Sequence, residues 1–383
     1  MISYKFRLYP NKEQREELDF ALEACRQTYN FLLEELKNQI KIDMGTIQHK
    51  IVELKDANPE LKRVYSKTLQ YECYRLFSNL SALRASKKKG NKVGRLRFKG
   101  KNWFKTISYN QCGFWFEQKG KKGILELSRI GIIKVNSHRQ VKGKIKQITI
   151  KRSLNKWFAI IITDAVIKKE SGNRILGIDV GINNYLVDSE GNKVEHPKII
   201  NKYLRQLKKA QQDLFRKKKG SKNRDRARKS IAKIHEKIEN TRIDFLHKLS
   251  NSYIRNSKII VVEDLRLKDM LSSFYNARNI ADASWGKFIQ FLTYKAENAS
   301  CKIIKVNPKN TTKTCSKCGH IQDMPIWKRI YKCNRCSTEI DRDYNSAINI
   351  LNKFLGSERA NVENNPSVQI EQGLSMKQEA MAL

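Results

Sequence analysis

Two acidic residues interrupt apolar runs of the sequence, where an unpaired carboxylate is costly to bury. Asp179 lies in RILGIDVG (174–181) and Glu263 lies in KIIVVEDL (258–265), and both runs are typical of buried strands. A charge in such a segment costs several kcal/mol unless it is paired or hydrogen-bonded. The simplest explanation is an ion pair, because the chain contains 77 Lys and Arg residues. The alternative is that both acids face one common site.

A third acid is identified by helix geometry in the segment DRDYNSAINIL (341–351). Apolar residues repeat there at helical spacing: Ala347, Ile350, Leu351 and Phe354. At about 100° per residue, Asp343 lies within about 40° of Ala347, whereas Asp341 lies about 120° away. Asp341 is therefore predicted to be the helix N-cap, and Asp343 is predicted to point into the protein.

Three carboxylates on two strands and one helix of an α/β domain indicate a shared site. Such a cluster repels itself unless a cation neutralises it, and hard oxygen ligands suit Mg²⁺ or Mn²⁺. The arrangement is typical of two-metal phosphodiester hydrolysis, with the ions about 3.5–4 Å apart. We therefore predict that Asp179, Glu263 and Asp343 are catalytic and bind two Mg²⁺ ions. Gly177 and Gly181 are predicted to let a phosphate approach the strand.

Four cysteines have the spacing of a metal-bound knuckle. Cys315, Cys318, Cys333 and Cys336 form C-x2-C-x14-C-x2-C, in which each pair can bind one side of a tetrahedral ion. Rubredoxin-like iron shares this spacing, and a redox dithiol needs only one pair. A closed set of four thiolates favours one structural Zn²⁺. The remaining cysteines are predicted to be isolated core residues: Cys25, Cys73, Cys112 and Cys301.

The charge of the chain indicates a polyanionic partner. Lys and Arg outnumber Asp and Glu by 77 to 38, which gives a formal net charge of +39. Self-repulsion of this size favours a nucleic-acid ligand. An anionic membrane surface and a solvated lysine-rich surface are the alternatives.

Two segments concentrate this charge. KKKGNKVGRLRFKGKNWF (87–104) interleaves basic residues with Phe98, Trp103 and Phe104, which suits phosphate contact combined with base stacking. Residues 202–249 are predicted to form a basic helical hairpin with its loop at KKKGSKN. The predicted nucleic-acid contacts are Lys87, Lys88, Lys89, Arg95, Arg97, Phe98, Lys99, Trp103, Lys217, Lys218, Lys219, Lys222 and Arg224.

The hydrophobic pattern divides the chain into a helical block, a β-rich block and an α/β block. ISYKFRLY (2–9) alternates like a strand, and a helix capped by Asn11 and Gln14 follows it. Helical spacing continues to about residue 86. Short alternating runs over residues 105–163 favour a small antiparallel barrel, which the N-terminal strand is expected to join. The α/β pattern begins at residue 174.

The sequence contains no apolar run of membrane-spanning length, and its first residues lack the apolar core of a secretion signal. No disulfide framework is indicated. A soluble protein of a reducing compartment is therefore expected.

The order of GIDVG, VVEDL, the four-cysteine knuckle and DRDYNSAINIL resembles the RuvC-type nuclease core of TnpB proteins. These proteins are encoded by bacterial insertion sequences and are related to compact type V CRISPR effectors. The resemblance extends through YKFRLYPNKEQ, KVGRLRFKG and KIENTRIDFLHKLS. Ser337 and Thr338 follow the last cysteine where the family leads us to expect glycine, which affects the turn but not the ligands.

The resemblance implies an N-terminal β-barrel that carries a helical insertion, followed by an RNase H-like (RuvC) domain with an inserted zinc ribbon. The implied boundaries are 1–10 for the first barrel strand, 11–103 for the helical recognition insertion, 104–170 for the barrel (wedge) domain, 171–311 for the first part of the RuvC domain with its hairpin at 202–249, 312–337 for the zinc ribbon and 338–355 for the closing helix. The resemblance does not cover residues 356–383, which are polar and aperiodic, so we expect a flexible tail there.

The resemblance also implies the activity: RNA-guided cleavage of double-stranded DNA beside a short transposon-adjacent motif. Asp179, Glu263 and Asp343 match the catalytic triad of the family. The implied partners are a guide RNA from the transposon end, bound by one protein chain, and target DNA, with no membrane. The implied location is the bacterial cytoplasm, with action at the nucleoid.

Two other functions remain open from the sequence. One is a guide-dependent DNA-binding repressor that does not cleave, and the intact acids argue against it. The other is a transposase-like protein that acts on the element ends, which predicts strand transfer without RNA.

Overall fold

The computed structural model describes residues 1–38, 43–166, 170–272, 276–325 and 327–364. The chain divides into two compact units, Met1–Val166 and Ile167–Leu383. Within the described ranges, no helix is both long enough and apolar enough to cross a membrane.

The first unit combines one large sheet with three helices. Its elements are β1 (Ile2–Tyr9), α1 (Lys12–Lys37), α2 (Met44–Ala57), α3 (Ser66–Lys88), β2 (Thr106–Asn110), β3 (Phe114–Lys119), β4 (Lys122–Leu127), β5 (Gly131–Asn136), β6 (Ile145–Ser153) and β7 (Lys156–Thr163). The predicted capping box at the start of α1 is confirmed. The Asn11 side chain accepts from the Gln14 backbone at 2.8 Å, and the Gln14 side chain accepts from the Asn11 backbone at 3.0 Å.

All seven strands of this unit pair antiparallel in the order β2-β6-β7-β1-β5-β4-β3. The prediction that the N-terminal strand joins the sheet is confirmed, because β1 pairs with both β7 and β5. The order ends at β2 and β3, and among the described residues no pairing joins these two strands. Closure into a barrel therefore remains a prediction. Alternate residues of β1 enter one core together with apolar residues of α1 and α3.

Two residues of this unit do not have the environment that the sequence predicted. Phe104 is buried, with its ring edge against Tyr29, so it belongs to the core and is not available for base stacking. Cys112 is exposed, because it lies in the short turn between β2 and β3. The prediction of a core position holds for the other isolated cysteines, Cys25, Cys73 and Cys301.

The second unit is an α/β structure with an inserted hairpin. Its elements are β8 (Arg174–Val180), β9 (Asn184–Asp188), β10 (Lys193–Glu195), α4 (Ile199–Phe215), α5 (Lys222–Asn256), β11 (Ser257–Glu263), α6 (Leu267–Ser272), α7 (Ala277–Ala283), α8 (Trp285–Ala296), β12 (Lys302–Val306), β13 (Ile330–Lys332), β14 (Glu339–Asp341) and α9 (Arg342–Asn364). The helical hairpin predicted over 202–249 is α4 and α5.

The central sheet of this unit has the order β10-β9-β8-β11-β12. β11 runs parallel to β8 and β12, whereas β9 and β10 are antiparallel additions on the other side of β8. Alternating residues place one set of side chains against α5 and α8, including Leu176 and Ile260. The opposite set, including Ile175 and Val261, packs with α9. Each central strand is therefore covered on both faces.

Helix α9 packs on the sheet through the predicted stripe. Ala347 and Ile350 are fully buried, Phe354 is nearly so, and Leu351 is partly buried. The helix continues to Asn364, beyond the predicted end at residue 355. Residues 365–383 of the predicted tail lie outside the described residues.

Candidate functional site

Asp179 and Glu263 lie next to each other on adjacent parallel strands. Ile178 of β8 is in register with Val262 of β11, so the following residues are Asp179 and Glu263. Neighbouring strands lie about 4.8 Å apart, and side chains alternate between the faces of a sheet. Residues two positions earlier, Gly177 and Val261, face α9. Both acids therefore point to the sheet face that α9 covers.

Asp343 reaches the same edge of the sheet from the first turn of α9. Asp341 Oδ1 accepts hydrogen bonds from the backbone N–H groups of Asp343 (3.0 Å) and Tyr344 (3.1 Å), so its predicted role as N-cap is confirmed. Its other oxygen accepts from Lys193 Nζ at 2.6 Å. Asp343 is partly buried, and Asp343 Oδ2 lies 4.0 Å from the position of a β-carbon on Gly181.

The electrostatics of the site reflect this crowding of acids. Burial raises the pKa of Asp179 well above its ordinary value, and the negative charges of Glu263 and Asp343 raise it further. Burial also raises the pKa of Glu263, although the Thr311 hydroxyl and the charge of Lys353 lower it. Asp179 and Glu263 thus lie in a region that disfavours negative charge, which is the electrostatic setting of a cation site.

The glycines that flank Asp179 have different surroundings. A β-carbon on Gly177 would lie 2.8 Å from the backbone nitrogen of Leu351, so this position is occupied by α9. The prediction that Gly177 admits a phosphate is therefore wrong. Its role is close packing of helix on strand. Gly181 follows β8 beside Asp343, where a β-carbon would lie 2.9 Å from the backbone oxygen of Asn184, and its role in phosphate access remains a prediction.

An arginine from the knuckle also reaches the site, and the sequence analysis missed it. Arg329 Nη1 lies 3.8 Å from Asp343 Oδ1. In the amide orientation that satisfies both groups, the Asn183 oxygen accepts from Arg329 Nε at 3.1 Å. The backbone carbonyl of Arg329 also accepts from the Arg342 N–H at 2.8 Å, which ties this residue to the start of α9. Charge alone gave no signal, because Arg329 is one of many basic residues.

The four predicted knuckle cysteines converge. Their sulfur atoms all lie within 4.8 Å of one another, and no other three potential ligands meet this criterion in the described part of the chain. The Cys315–Cys336 and Cys318–Cys333 sulfur pairs are each 3.6 Å apart. Bonds of about 2.3 Å to a tetrahedral zinc require sulfurs about 3.8 Å apart. The donor set therefore fits a tetrathiolate metal site.

Backbone and hydroxyl donors support thiolates within this cluster. The Thr338 hydroxyl lies 3.1 Å from Cys336 Sγ, and with the Thr338 backbone it lowers the pKa of Cys336 to about 6. The backbone N–H of Cys336 lowers the pKa of Cys333. The backbone N–H of His320 lowers the pKa of Cys318, but burial and the neighbouring thiols raise it to about 12. A bound cation would remove this conflict by stabilising all four thiolates.

The two halves of the knuckle turn in the same way. Gly319 has φ +74° after the first cysteine pair, and Ser337 has φ +56° after the second. The backbone N–H of each residue donates to the carbonyl of the first cysteine of its pair. Ser337 therefore adopts the left-handed conformation in which glycine is strain-free. The presence of serine instead of glycine affects the turn and leaves the four sulfurs in place.

Most of the predicted nucleic-acid contacts in residues 87–104 are exposed. Lys87 to Lys89 end α3, and Arg95 and Arg97 are exposed in the irregular segment that follows. Phe98 and Trp103 are 49% and 65% exposed. Lys99 is half-buried, and its backbone is bonded to Asn30 at 2.7 Å. The segment is thus fixed to α1 with Phe98, Trp103 and most of its basic side chains facing outwards.

One of the predicted hairpin contacts has a structural role instead. Arg224 Nη1 donates to the carbonyls of Leu214 (3.0 Å) and Lys217 (2.9 Å), so its guanidinium caps the end of α4. The prediction that Arg224 contacts nucleic acid is therefore not supported by its hydrogen bonds. Lys217 to Lys219 and Lys222 are exposed around the loop. Phe215, which the sequence analysis did not select, is 82% exposed beside them.

Models of three protein families match separate parts of the chain. A helix-turn-helix domain of the IS605 OrfB family matches residues 1–43. The IS605 OrfB family itself, described as "Probable transposase", matches residues 158–273. A "Cas12f1-like, TNB domain" matches residues 285–350, which contain the knuckle and Asp343.

The chain is also similar to individual proteins. "Putative RNA-guided DNA endonuclease" of Streptomyces pristinaespiralis is 29% identical over 363 residues, which cover 91% of this chain and 88% of that protein. "TnpB-like protein L79" of Acanthamoeba polyphaga mimivirus is 33% identical over 137 residues, which cover 34% and 26%. The structure of a Cas12f1-sgRNA-target DNA complex has a Cas12f1 chain of the same fold, with a TM-score of 0.59, 19% identity and coverage of 88% and 82%. The family domains and these relatives agree with the order of the motifs in the sequence: the chain carries domains of the IS605 OrfB family and is similar along most of its length to proteins named putative RNA-guided DNA endonuclease.

Proposed function

We propose that this protein is an RNA-guided endonuclease that hydrolyses double-stranded DNA beside a short transposon-adjacent motif. The observation that carries the proposal is the registered pair Asp179 and Glu263, with Asp343 delivered to the same sheet face by α9. The similarity to proteins named as RNA-guided DNA endonucleases supports the guide RNA and the DNA substrate.

The three acids fit a pair of Mg²⁺ ions, or Mn²⁺, by their chemistry and spacing. Their oxygens are hard ligands, and their mutual repulsion is relieved by cations. At least one pair of these carboxylates lies more than 4.8 Å apart, because only the cysteines form a set within that distance among the described residues. We propose that two ions share the acids between them. When bound, such ions supply an activated water and stabilise the leaving oxygen of the phosphodiester.

The residues of this chain bind and orient the cations and the scissile strand. Asp179 and Glu263 lie on a rigid parallel pair of strands, which fixes the distance between their backbones. Asp343 is held in the first turn of α9, which is capped by the side chain of Asp341. Arg329 stands 3.8 Å from Asp343 and is suited to contact a phosphate that enters the site.

We further propose that the knuckle binds one structural Zn²⁺. Cys315, Cys318, Cys333 and Cys336 provide four ligands, so no position remains for a substrate or water. The local core of the knuckle is small and includes Met324 and Tyr331. A metal that replaces a hydrophobic core here keeps the start of α9, and with it Asp343, in place.

At the level of domains, we propose that the second unit is an RNase H-like domain and that the first is a wedge-type barrel with a helical recognition insertion. The sheet order β10-β9-β8-β11-β12 and the acids at the ends of β8 and β11 support the first assignment. The insertion of α1 to α3 between β1 and β2 supports the second. We propose the same domain boundaries that the resemblance implies.

We propose that the exposed basic residues of the segment 87–103 and of the α4–α5 loop contact RNA or DNA phosphates. We expect Trp103, Phe98 and Phe215 to stack on unpaired bases, because all three rings are exposed. Arg224 is left out of this set because its Nη1 is bonded to two backbone carbonyls.

The test is cleavage by the protein purified together with RNA from the end of its own element. We expect Mg²⁺-dependent cutting of a plasmid that matches the guide. The cutting should be lost after RNase digestion and after chelation of divalent ions. Sequencing of the RNA that co-purifies identifies the guide.

Each rival function gives a different result in the same assay. Guide-directed DNA binding without any cutting in Mg²⁺ or Mn²⁺ supports a repressor and contradicts the proposal. Activity that survives RNase and joins element ends supports a transposase, in agreement with the description "Probable transposase" of the matching family.

A further inference from the structure

Helix α9 carries a polar stripe beside its apolar one. Asn345, Asn349 and Lys353 are spaced four residues apart, so they lie on one face of the helix. Asn345 is fully buried and Asn349 is 5% exposed. Buried amides of this kind require hydrogen-bond partners. All three side chains find them in a single segment of chain, residues 307–316, which joins β12 to the knuckle.

The stripe holds this segment through backbone carbonyls. Lys353 Nζ donates to Asn307 O at 2.8 Å. Asn349 Nδ2 donates to Thr311 O at 2.9 Å and to Thr314 O at 2.6 Å. Asn345 Nδ2 also donates to Thr314 O at 2.8 Å, and its oxygen accepts from the Ser316 N–H at 2.9 Å. The segment therefore follows α9 along its polar stripe, and we call it the strap.

Within the strap, the side chain of Thr311 reaches a catalytic candidate. Thr311 is 3% exposed, and its hydroxyl donates to Glu263 Oε1 at 2.6 Å. The hydroxyl has one proton, and its other contact, Pro308 O at 3.0 Å, is longer and lacks the charge of a carboxylate. The strap thus connects one oxygen of Glu263 to α9, the helix that also carries Asp343.

We propose that Thr311 is a positioning residue for Glu263. Its hydroxyl binds one carboxylate oxygen and restricts rotation of the group, so that the other oxygen is held in a fixed direction for the cation. Asn349 positions Thr311 in turn through the backbone carbonyl of Thr311. The inference rests on the proposed function, since it concerns the same acids. Bonds of this kind around a metal ligand are worth about 10–100-fold in metal affinity or activity.

A purely structural role of Thr311 makes a different prediction. In that case, loss of the hydroxyl lowers the stability of the strap and leaves the affinity of the acids for a cation unchanged. The strap itself offers a matched control, because the Thr314 hydroxyl donates to a backbone carbonyl, Asn310 O, at 2.8 Å. Thr311→Val and Thr314→Val therefore remove the same group from the same segment.

The experiment uses the complete protein–RNA complex and two readouts. The first is Mn²⁺ binding measured by electron paramagnetic resonance, and the second is the Mg²⁺ concentration that gives half-maximal cleavage. We expect Thr311→Val to weaken Mn²⁺ binding and to raise the half-maximal Mg²⁺ concentration by about tenfold. Thr311→Ser, which keeps the hydroxyl, should restore both values, and Thr314→Val should match the parent protein. An unchanged Mn²⁺ affinity in Thr311→Val, or an equal loss in Thr314→Val, overturns the proposal.

Asn349→Ala keeps the test valid if Thr311→Val fails to fold. This variant retains the Thr311 hydroxyl but releases the carbonyl of Thr311, so Mn²⁺ affinity should fall by a smaller factor than in Thr311→Val. A folded Asn349→Ala complex that binds Mn²⁺ as tightly as the parent contradicts the proposal that Asn349 positions Thr311.

The behaviour of the parent complex distinguishes failure of the proposed function from failure of the positioning role of Thr311. If it neither binds Mn²⁺ nor cuts DNA, the proposed function fails. If it does both and the Thr311 variants behave like the parent, only the positioning role fails.

Discussion

A β-carbon on Gly177 would lie 2.8 Å from the backbone nitrogen of Leu351, so strand β8 and helix α9 meet with no side chain between them. Asp179 follows two residues after this contact, on the same strand face. Asp343 precedes it by about two turns on the helix. The glycine therefore sets the distance between the two elements that carry two of the three acids.

Gly177→Ala should separate α9 from β8 and destabilise the protein by about 1–3 kcal/mol, as expected for an overpacked contact. Cleavage should fall more than guide binding, because the shift moves Asp343 relative to Asp179. Urea unfolding and plasmid cleavage measure the two effects. Gly356→Ala is the control. Gly356 also lies on α9, and a β-carbon there would meet nothing within 4 Å. Parental stability in the Gly177→Ala variant would show that the contact relaxes freely.

Asp341 and Asp343 should separate into a structural and a functional acid. Asp341→Ala removes two capping bonds and should reduce the free energy of unfolding by about 1 kcal/mol, while Asp341→Asn keeps an acceptor and most of the stability. Asp343→Ala should cost little stability and abolish cleavage. Unfolding and cleavage are measured on the same preparations. Loss of cleavage in Asp341→Ala together with loss of stability in Asp343→Ala would contradict these roles.

The site could be predicted from the sequence where local periodicity decides the geometry. The stripe Ala347, Ile350 and Phe354 fixed the direction of the helix, which was enough to separate Asp341 from Asp343. The cysteine spacing likewise identified the knuckle. The contacts of Arg329 and Thr311 could not be predicted, because each depends on a bond to a residue far along the chain.

Arg97→Gln and Arg224→Gln should affect RNA binding differently. Arg97 is exposed, so its loss should weaken binding and reduce the salt slope of log K by about 1. Arg224 is bonded to two carbonyls, so its loss should lower hairpin stability without changing that slope. Fluorescence anisotropy over a range of salt concentrations distinguishes the two. Equal slopes for both variants would contradict the assigned roles.

Composition alone could not make this distinction. Arg224 lies in a run of basic residues and has the same sequence context as Lys217 to Lys219, but it is close enough to the end of α4 to cap it. Gly177 was assigned to phosphate access for a similar reason: the sequence indicates that a side chain is absent, and only the fold shows which neighbour occupies the space. Phe104 was misassigned because an aromatic residue in a basic segment suits either a core or a surface.

Glu72 should make the stability of the first unit depend on pH. It is fully buried, 3.3 Å from Arg75, and burial raises its pKa from 4.5 to about 8 although Arg75 lowers it. Between these values the folded protein holds a proton that the unfolded chain has released. Stability should therefore fall as pH rises from about 5 to about 8.

Glu72→Gln removes this titration. The variant should exceed the parent in urea midpoint at pH 8, and the difference should shrink towards pH 5. Glu53→Gln, at an exposed ion pair with Lys50, removes one acid without a buried group and should show no such trend. If the difference in urea midpoint between Glu72→Gln and the parent is the same at pH 5 and pH 8, the proposed pH dependence is refuted.

The most direct test of the central claim is plasmid cleavage by Asp179→Ala in complex with its own RNA, alongside a measurement of target DNA binding by the same complex. The account predicts that binding stays within a few-fold of the parent and that cutting is lost in both Mg²⁺ and Mn²⁺, because Asp179 interacts with the charges of both other acids and is proposed to bind the cations with them. Undiminished cutting by this variant would contradict the assignment of Asp179, Glu263 and Asp343 as the catalytic site.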